Sequence, residues 1–444
     1  YIVNPGEEYV NISYYPVKRA NLVFSTLSGA QAAAASGVAP TAAQVTVYSH
    51  ATSGDGGGFD GIVEAADNAA YPDGGRIRPV DGTIVTPQMY GGDLSTWAAA
   101  TFSKRLPKGV YLADAPLARA PGYALQAAPG AIIREGGAWS GDAVVSLEGP
   151  DLGTLPALAA NAAWGARTLT FASAHGLVAG DVVILENTAA NSLNAWRSYY
   201  HDGEFIRVLR ADSPTQITTE APLDPQGASR IYPAANCACY KLDGVGGSIS
   251  GLRVEAITAG YALRVARLTA PSLRDVATEG GTTASTTMNR CWGGVIDGGG
   301  SARCVTAAAG LQYGLTITCC HESVVAGGYW YGTRHGLTLG TDGNAGSVPS
   351  RGTKIQGATI RAGSIQAADG GHGCHIGTQW IGCDATGYIV GGADSSWRGG
   401  TISTVEGSGS STSAVLGSEL HNLNHLIAPD TITSPYDGSG AATG

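Results

Sequence analysis

The most informative pattern in this sequence is a recurrent aliphatic position between residues 247 and 403. Eight short segments end in Val, Ile or Leu, and successive ends lie about 21 residues apart, which is a spacing typical of repeat architectures. Glycine stands three positions before that residue in six segments, and threonine stands immediately before it in four. Such a period indicates stacked repeats, each of which buries one aliphatic side chain against its neighbours. The aliphatic residues are Val254, Val276, Ile296, Ile317, Leu339, Ile360, Ile381 and Ile402.

Two repeat architectures have a period near this length. A leucine-rich repeat requires a Leu-x-x-Leu-x-Leu framework and a helix on each convex side, but the framework is absent and helix formers are scarce. A parallel β-helix requires short strands stacked about 4.8 Å apart, with glycine at tight corners and β-branched or small residues on the strands. The pattern therefore predicts an all-β chain that forms a right-handed parallel β-helix of about 21 residues per coil.

The pattern changes along the chain and divides it into regions. Residues 1–45 are mixed in composition and are set apart from the remainder. Residues 46–92 contain short strand-like runs separated by glycine, which predicts a β-rich cap or neck. Residues 93–428 are assigned to the β-helix, and strand pairs within residues 164–222 predict a small inserted β-subdomain. Residues 429–444 are expected to form a C-terminal tail.

Composition and charge exclude several other classes of protein. The 43% of hydrophobic residues is too high for intrinsic disorder, and glycine does not recur at every third position as in collagen. Heptads and unbroken apolar segments of about 20 residues are missing, so neither a coiled coil nor membrane insertion is expected. The net charge of −9 argues against nucleic-acid binding. The first residues lack the features of a signal peptide, so none is expected.

The cysteines and histidines do not form a recognisable metal-binding motif. The Cys-Ala-Cys and Cys-Cys spacings differ from the C-x2-C pairs of zinc sites. His372 and His375 flank Cys374 without an H-E-x-x-H pattern. We expect reduced, buried cysteines, no metal and no other cofactor.

Three further motifs link the repeat to a known family. Val85 to Gly91 form a V-x-x-x-x-Y-G turn, and Pro107 to Tyr111 form a P-x-G-x-Y strand. Thr168–Leu185, followed by Gly203–Glu204, match a subdomain that is often inserted after these motifs. Together with the repeat, this order resembles the tailspikes of bacteriophages, whose body is a pectate-lyase-like β-helix.

The resemblance implies a function and a setting. Tailspikes of this kind are homotrimers in the virion tail that bind, and frequently cleave, a bacterial surface polysaccharide. The resemblance therefore implies that residues 1–45 attach the protein to phage tail or baseplate proteins. It also implies that the protein assembles in the host cytoplasm.

Glycoside cleavage requires two carboxyl groups on one wall, one as acid and one as base or nucleophile. Residues on either side of a buried strand position point outward, which places Glu255, Asp275 and Asp297 outward on neighbouring coils. Adjacent members are then roughly 8 Å apart at Cα, which suits an inverting hydrolase. We therefore predict these three residues as catalytic, the alternative being a solvated acidic patch.

Large aromatic side chains are candidates for stacking on sugar rings. Trp330 and Tyr331 lie in a Tyr-Trp-Tyr run, and Trp196 and Tyr200 lie in a polar loop of the predicted insertion. We predict that these four residues bind substrate, the alternative being that they pack at a trimer interface or on the exterior of the coils.

Two other functions remain open at this point. A non-catalytic receptor-binding or structural tail protein would have the same fold. A polysaccharide lyase, from a phage or secreted by a bacterium, would use basic residues near the carboxylates, and Arg253, Arg274 and Arg290 lie near them in the sequence.

Overall fold

In the computed structural model, the chain winds into a parallel β-helix with an N-terminal cap and one large insertion. The structure describes residues 22–39, 41–47, 58–68, 71–72, 75, 77–80, 84–90, 92–137, 139–190, 192–193, 198–227, 229–302, 312–363, 368–369, 375–386, 388–390, 395–402, 405–407, 418–421, 425–426 and 432–433.

An N-terminal sheet of four strands precedes the β-helix, with one helix between its first two strands. The first pair of strands is parallel and the other two pairs are antiparallel. These elements are β1 (Leu22–Phe24), α1 (Leu27–Ala35), β2 (Gln44–Val47), β3 (Phe59–Val63) and β4 (Ile77–Pro79), and a second helix, α2 (Leu94–Ala99), follows them.

Each coil of the β-helix contributes one strand to each of three ten-stranded parallel sheets, which we number in the order in which the chain enters them. Sheet 1 contains β5 (Lys104–Leu106), β8 (Ala124–Ala127), β19 (Ser248–Ser250), β22 (Ser272–Arg274), β25 (Val295–Asp297), β28 (Val324–Ala326), β32 (Lys354–Gln356), β36 (Gln379–Ile381), β39 (Ser395–Arg398) and β42 (Ser418–His421). Sheet 2 contains β6 (Gly109–Ala113), β9 (Ala131–Glu135), β20 (Arg253–Glu255), β23 (Ala277–Glu279), β26 (Gly300–Ala302), β29 (Tyr329–Gly332), β33 (Thr359–Ala362), β37 (Asp384–Ala385), β40 (Thr401–Ile402) and β43 (His425–Leu426). Sheet 3 contains β7 (Leu117–Arg119), β10 (Ala143–Glu148), β21 (Tyr261–Ala266), β24 (Ala284–Asn289), β27 (Tyr313–Thr318), β30 (His335–Gly340), β34 (Ala368–Asp369), β38 (Tyr388–Val390), β41 (Val405–Gly407) and β44 (Ile432–Thr433).

The interior of the β-helix is filled by aliphatic side chains stacked in register. In sheet 1, Ile249, Leu273, Ile296, Val325 and Ile355 are paired strand to strand, and all five are buried. Burial of each such side chain stabilises the fold by roughly 1.5–3 kcal/mol. The predicted parallel β-helix is therefore confirmed.

The coils are less regular in length than the sequence period predicts. In sheet 1 the register pairs Ile249 with Leu273, and it pairs Val325 with Ile355. These two steps exceed the predicted period, whereas the pairing of Trp380 with Trp397 is a shorter step, so coil lengths scatter on both sides of that period. The eight aligned aliphatic residues fall on different sheets, since Val254 lies on sheet 2 and Ile317 on sheet 3. All three sheets place aliphatic residues inside. Because coil lengths vary, residues aligned at a fixed spacing in the sequence do not all fall on the same sheet.

Helix α2 packs beside the first coil and covers the end of the interior. Its N-terminus is capped by Asp93, whose Oδ1 accepts a hydrogen bond from the Ser95 amide at 2.9 Å. The buried Trp97 donates from Nε1 to the Val85 carbonyl at 3.1 Å, which fixes the helix to the turn before the first coil.

The insertion leaves the β-helix after β10 and returns before β19, and it is larger than the predicted span of residues 164–222. Its strands are β11 (Gly153–Thr154), β12 (Ala162–Ala163), β13 (Thr168–Thr170), β14 (Val182–Asn187), β15 (Asp202–Ser213), β16 (Gln216–Thr219), β17 (Ile231–Tyr232) and β18 (Cys237–Leu242). Its main sheet has six antiparallel strands in the order β11, β18, β14, β15, β16, β13 around a separate apolar core. A two-stranded sheet, β31 (Ser350–Arg351) and β35 (His375–Ile376), lies outside the three large sheets.

Two predicted region boundaries also differ from the structure. The boundary at residue 45 falls inside β2, and strands β1 to β4 on both sides of it form one sheet. The β-helix extends beyond residue 428, because Ile432–Thr433 pairs with β41.

The described cysteines agree with the expectation of reduced, buried thiols, while Cys304 and Cys374 lie outside the described residues. Five of the six described cysteines are buried, and none of these six forms a disulfide. Within the described part of the chain, no helix is both long enough and apolar enough to span a membrane.

Candidate functional site

The predicted catalytic residue Glu255 lies at the end of β20 on sheet 2, where arginines surround it. Arg134 places Nε 2.6 Å from Glu255 Oε2, and Arg253 places Nε 2.8 Å from Oε1. Arg253 also contacts Glu279, the residue paired with Glu255 on the next strand, at 2.6 Å. These contacts form an ion-pair network along the outer face of sheet 2.

The other two predicted carboxylates lie elsewhere. Asp297 is at the end of β25 on sheet 1, half-exposed and 3.4 Å from Arg274 Nε. Asp275 occupies the turn between sheets 1 and 2 with φ +50°, and its amide donates to the Asp297 carbonyl at 2.8 Å. The structure therefore brings Asp275 and Asp297 together, but it places Glu255 on a different sheet.

The predicted aromatic residues are mostly withdrawn from the surface. Trp330 is only 1% exposed, because β29 directs its ring into the interior of the β-helix. Tyr200 is 4% exposed and packs edge-on against Tyr199 at 5.1 Å between ring centroids. Neither side chain offers a face to a sugar ring, so the predicted role does not fit their burial. Tyr331 is half-buried on sheet 2, and Trp196 lies outside the described residues.

A groove of about 460 Å³ runs across the outer face of sheet 3 and ends at the loop after β30. Strands β21, β24 and β27 lie side by side there, so outward residues from successive coils form rows. The lining residues are Tyr261, Arg264, Thr283, Thr287, Asn289, Tyr313, Thr316, Thr318, Thr341, Asp342 and Asn344.

Hydroxyl groups form the floor of this groove. Thr287 and Thr316 are paired in register on β24 and β27, and Thr316 Oγ1 donates to Thr287 Oγ1 at 2.7 Å. The sequence repeat carried this signal, since Thr316 is one of the threonines that precede a recurrent aliphatic residue. Alternation along the strand places that threonine outside when the aliphatic residue is inside.

Tyr261 and Tyr313 mark one row of the groove, two strands apart. At the usual strand spacing they are about 10 Å apart. The Tyr313 ring stacks on His335 at 5.5 Å, and Arg334 Nη1 donates to its hydroxyl at 3.0 Å. Burial, followed by the charge of Asp142, raises the pKa of Tyr261, so this phenol remains protonated and can donate a hydrogen bond.

Asp342 is the carboxylate among the described lining residues of the groove, and it is firmly held. Arg290 donates from Nη1 and Nη2 to its two oxygens at 2.6 Å each, and Asn289 Nδ2 donates at 3.0 Å. Burial alone would raise the pKa of Asp342, but the hydrogen bonds and charge of Arg290 outweigh it and hold that pKa well below its usual range. Asp342 is therefore an ionised acceptor, not a proton donor.

Arg264 is the cation of the groove lining, and it is also paired. Its Nη1 lies 2.7 Å from Asp142 Oδ2 and its Nε 3.5 Å from Glu148 Oε1. The described charged side chains around the groove are thus paired with side chains of opposite charge. This pairing fixes the positions of their hydrogen-bond donors and acceptors and leaves little net charge.

Carboxyl groups with a raised pKa lie at a different place. Burial raises the pKa of Asp202 and of Glu204, and the charge of Arg351 opposes the shift in both. Both carboxyl groups lie on β15 of the insertion and are buried, so they are not accessible to a polymer. The described residues of the groove lining include no carboxyl group with a raised pKa.

Comparison with known proteins relates this architecture to phage tail proteins. Residues 279–443 match the model of the family described as Gp49, pectin lyase-like. Comparison with curated proteins finds no match.

Two Pseudomonas phage structures share the fold. The tailspike gp49 of Pseudomonas phage LKA1 is 24% identical with a TM-score of 0.61, over 77% of this chain and 58% of that chain. The tailspike gp61 of Pseudomonas phage phi297 is 24% identical with a TM-score of 0.61, over 74% of this chain and 57% of that chain.

A third match was solved with a bound saccharide. The Gp54 tailspike of Acinetobacter baumannii bacteriophage AP22, in complex with A. baumannii capsular saccharide, is 17% identical with a TM-score of 0.56. The aligned region covers 77% of this chain and 55% of that chain, so this chain spans little more than half the length of these tailspikes. The fold is therefore that of phage tailspikes, as the sequence resemblance predicts.

Proposed function

We propose that the protein is a phage tailspike that binds a bacterial surface polysaccharide in the groove of sheet 3 and depolymerises it. The observation that carries this proposal is the lining of the groove, in which two tyrosines and an ionised carboxylate stand over a floor of threonine hydroxyls. The saccharide complex of the AP22 tailspike, which has the same fold, supports it.

The groove suits a sugar chain for two physical reasons. Tyr261 and Tyr313 offer apolar rings with polar hydroxyls, a combination that packs against the faces of sugar rings. Asp342 and Asn289 are held in fixed positions by Arg290, so their oxygens accept hydroxyl hydrogen bonds without reorganising. A hydrogen bond to a charged group contributes about 1.5–3 kcal/mol.

Hydrolysis in this groove would use Asp342 as the ionised carboxylate that activates water or stabilises a positive sugar centre. A proton donor must come from another group, because Asp342 is ionised. Glu255, Asp275 and Asp297 remain an alternative catalytic set outside the groove, as the sequence predicts.

A second candidate function is binding without cleavage. It is favoured by the lack of a carboxyl group with a raised pKa among the described groove residues, because hydrolysis requires a carboxylic acid at neutral pH. A third is lyase chemistry, in which Arg264 would neutralise a sugar carboxylate and ionised Asp342 would remove the proton from the carbon next to it. As the C=C bond forms and the C–O bond breaks, the protonated Tyr261 would give its proton to the leaving oxygen.

Assembly into a homotrimer on the virion tail completes the proposal. On the outer face of sheet 2, Val110 and Leu112 are 54% and 59% exposed on the first strand. We propose that this apolar end of the sheet packs against a second copy of the chain. The proposal also includes attachment through residues 1–45 to phage tail or baseplate proteins, after assembly in the host cytoplasm.

Binding can be tested on an array of purified bacterial capsular polysaccharides and O-antigens. We expect the wild-type protein to bind at least one polymer and Asp342→Asn to weaken that binding at least tenfold. Asp151→Asn, which alters a fully exposed carboxylate, is the matched control and should bind as wild type. Equal binding by wild type and Asp342→Asn would exclude the groove as the binding site.

Cleavage is tested on the same polymer. A fall in polymer length without an unsaturated product supports hydrolysis, whereas absorbance from an unsaturated sugar identifies a lyase. An unchanged polymer length with retained binding identifies the binding-only function.

A further inference from the structure

The loop that carries Asp342 and Asn344 lies between the β-helix and the insertion. We propose that Glu186, on strand β14 of the insertion, is a positioning residue that holds this loop, residues 341–347, in its ligand-binding conformation. We call residues 341–347 the groove loop. The inference rests on the proposed function, because it assigns to the insertion a part in shaping the polysaccharide groove.

Glu186 contacts both the groove loop and the insertion. Its Oε2 accepts a hydrogen bond from the Gly346 amide of the groove loop at 2.8 Å. Its Oε1 lies 2.6 Å from Nδ1 of His201, which is on the insertion. The side chain is buried, so both contacts are shielded from water and are stronger than surface contacts.

Arg290 extends this contact to the ligand-binding carboxylate. Its Nε donates to the Ala345 carbonyl at 2.7 Å, next to the residue that Glu186 holds. Its two terminal nitrogens bind Asp342. The groove loop is thus fixed at residue 346 by the insertion and at residues 342 and 345 by the β-helix.

Close packing supports the same relationship. Gly346 has φ +73°, and a Cβ at this position would lie 2.9 Å from Leu152 Cδ1 and 3.5 Å from Ile184 Cδ1, both on the insertion side. A Cβ on Gly343 would lie 3.1 Å from Cβ of Tyr199. The groove loop therefore touches the insertion at two glycines, where only a residue without a side chain allows this approach.

Other contacts dock the insertion independently of Glu186. Arg351 Nη2 of the β-helix region lies 3.2 Å from Asp202 Oδ1, and the Phe205 ring lies 4.5 Å from the His321 ring. Removal of the Glu186 carboxylate should therefore loosen the groove loop while the insertion stays in place.

The test compares Glu186→Ala, Glu186→Gln and a control, Glu220→Ala, in the full chain. Glu220 is a half-exposed carboxylate of the insertion, 3.6 Å from Arg207, and it makes no described contact with the groove loop. Hydrogen–deuterium exchange reports on the peptide that contains residues 341–347, and titration with the polymer identified on the array reports the Kd.

We expect Glu186→Ala to speed exchange in the groove loop and to weaken polymer binding roughly tenfold. Glu186→Gln should show a smaller change in both, because its amide oxygen can still accept from Gly346. Exchange in β15 should stay at the wild-type rate, and Glu220→Ala should change neither readout.

Unchanged exchange in the groove loop of Glu186→Ala would overturn the inference. If that variant does not fold, Glu186→Gln decides the question, and wild-type exchange and binding in this variant would count against the inference. If Glu186→Ala speeds exchange in the groove loop while Asp342→Asn binds the polymer as the wild type does, the two proposals are separated. The positioning contact of Glu186 is then supported, and the groove is overturned as the polysaccharide site.

Discussion

Arg290 and Asp342 form a two-pronged ion pair in which each terminal nitrogen of the guanidinium lies 2.6 Å from a different carboxylate oxygen. Arg290 follows strand β24 of sheet 3, and Asp342 lies in the groove loop, so the pair joins the floor of the groove to its end. Paired, planar contacts of this kind fix direction as well as distance. The Asp342 carboxylate is therefore held in one orientation within the groove.

This pair should make stability depend on acid. The pKa of Asp342 is held below its unfolded value, so its contribution is complete above the unfolded pKa, near 4, and is lost as the pH falls through the lower folded pKa. Asp342→Asn should lose about 2 kcal/mol of unfolding free energy at pH 7. Urea unfolding between pH 3 and pH 7 measures this, and the difference between the two proteins should shrink at the acid end. A difference that grows towards acid pH would contradict the assignment.

The two tyrosines should contribute separately to polymer binding. Tyr261→Ala and Tyr313→Ala should each raise the Kd roughly three- to tenfold, since one aromatic contact contributes about 0.5–1.5 kcal/mol. Isothermal titration with the bound polymer measures the change. Tyr329→Ala removes an exposed tyrosine from sheet 2 and is the matched control. A loss with Tyr329→Ala equal to that with Tyr261→Ala would move the binding site away from sheet 3.

Asp275 and Asp297 provide a test between the two proposed catalytic sites. Because Asp297 is bound to Arg274 and lies on sheet 1, we expect Asp275→Asn and Asp297→Asn to retain both polymer binding and cleavage. The measurement is the fall in polymer length with time for each variant. Retained binding with abolished cleavage would instead identify the carboxylates predicted from the sequence as the catalytic groups.

Lys104 should make the protein more stable as the pH rises above neutrality. Burial, and secondarily the charge of Arg119, lowers the pKa of Lys104 to about 7, whereas the unfolded chain keeps the ordinary value of 10.5. Between these values the unfolded state binds more protons, so unfolding free energy should increase with pH by up to about 1.4 kcal/mol per unit.

The control for this prediction is Lys104→Met. It removes the titrating amine, together with its hydrogen bonds to the Ala100 and Phe102 carbonyls. Guanidinium unfolding between pH 7 and pH 10 should show a rise for the wild type that this variant lacks. Parallel curves for the two proteins would show that Lys104 titrates as an ordinary lysine.

Gly203 should be intolerant of a side chain. A Cβ there would lie 2.4 Å from the Leu185 carbonyl oxygen and 2.4 Å from Val348 Cγ1, so backbone must move. Gly203→Ala should destabilise the docking of the insertion by about 2 kcal/mol. Thermal unfolding measures the loss, with Gly137→Ala as a control, since no atom lies within 4 Å of a Cβ at that glycine. Equal melting temperatures for the two variants would contradict the packing around Gly203.

The interior ladder and the site were not equally predictable. The sequence correctly predicts Ile296 and Ile317 in the interior, because a recurrent aliphatic residue with glycine three positions before it is a strong signal. The sheet on which each lies was not predictable, because coils of unequal length blur the period. Trp330 was not predictable for a similar reason. A tryptophan flanked by tyrosines suggests a binding surface, and only the strand register shows that its ring points inside.

The sequence is sufficient to predict the parallel β-helix and the inserted β-subdomain, because a recurrent aliphatic position and paired strand-like runs are local signals. The groove depends instead on the tertiary structure. Asp342 and Arg290 are 52 residues apart, and Gly346 is 160 residues from Glu186. Contacts across such distances depend on which coil stacks on which and on how the insertion folds back. A local pattern of hydrophobic and polar residues predicts neither the stacking of the coils nor the position of the insertion.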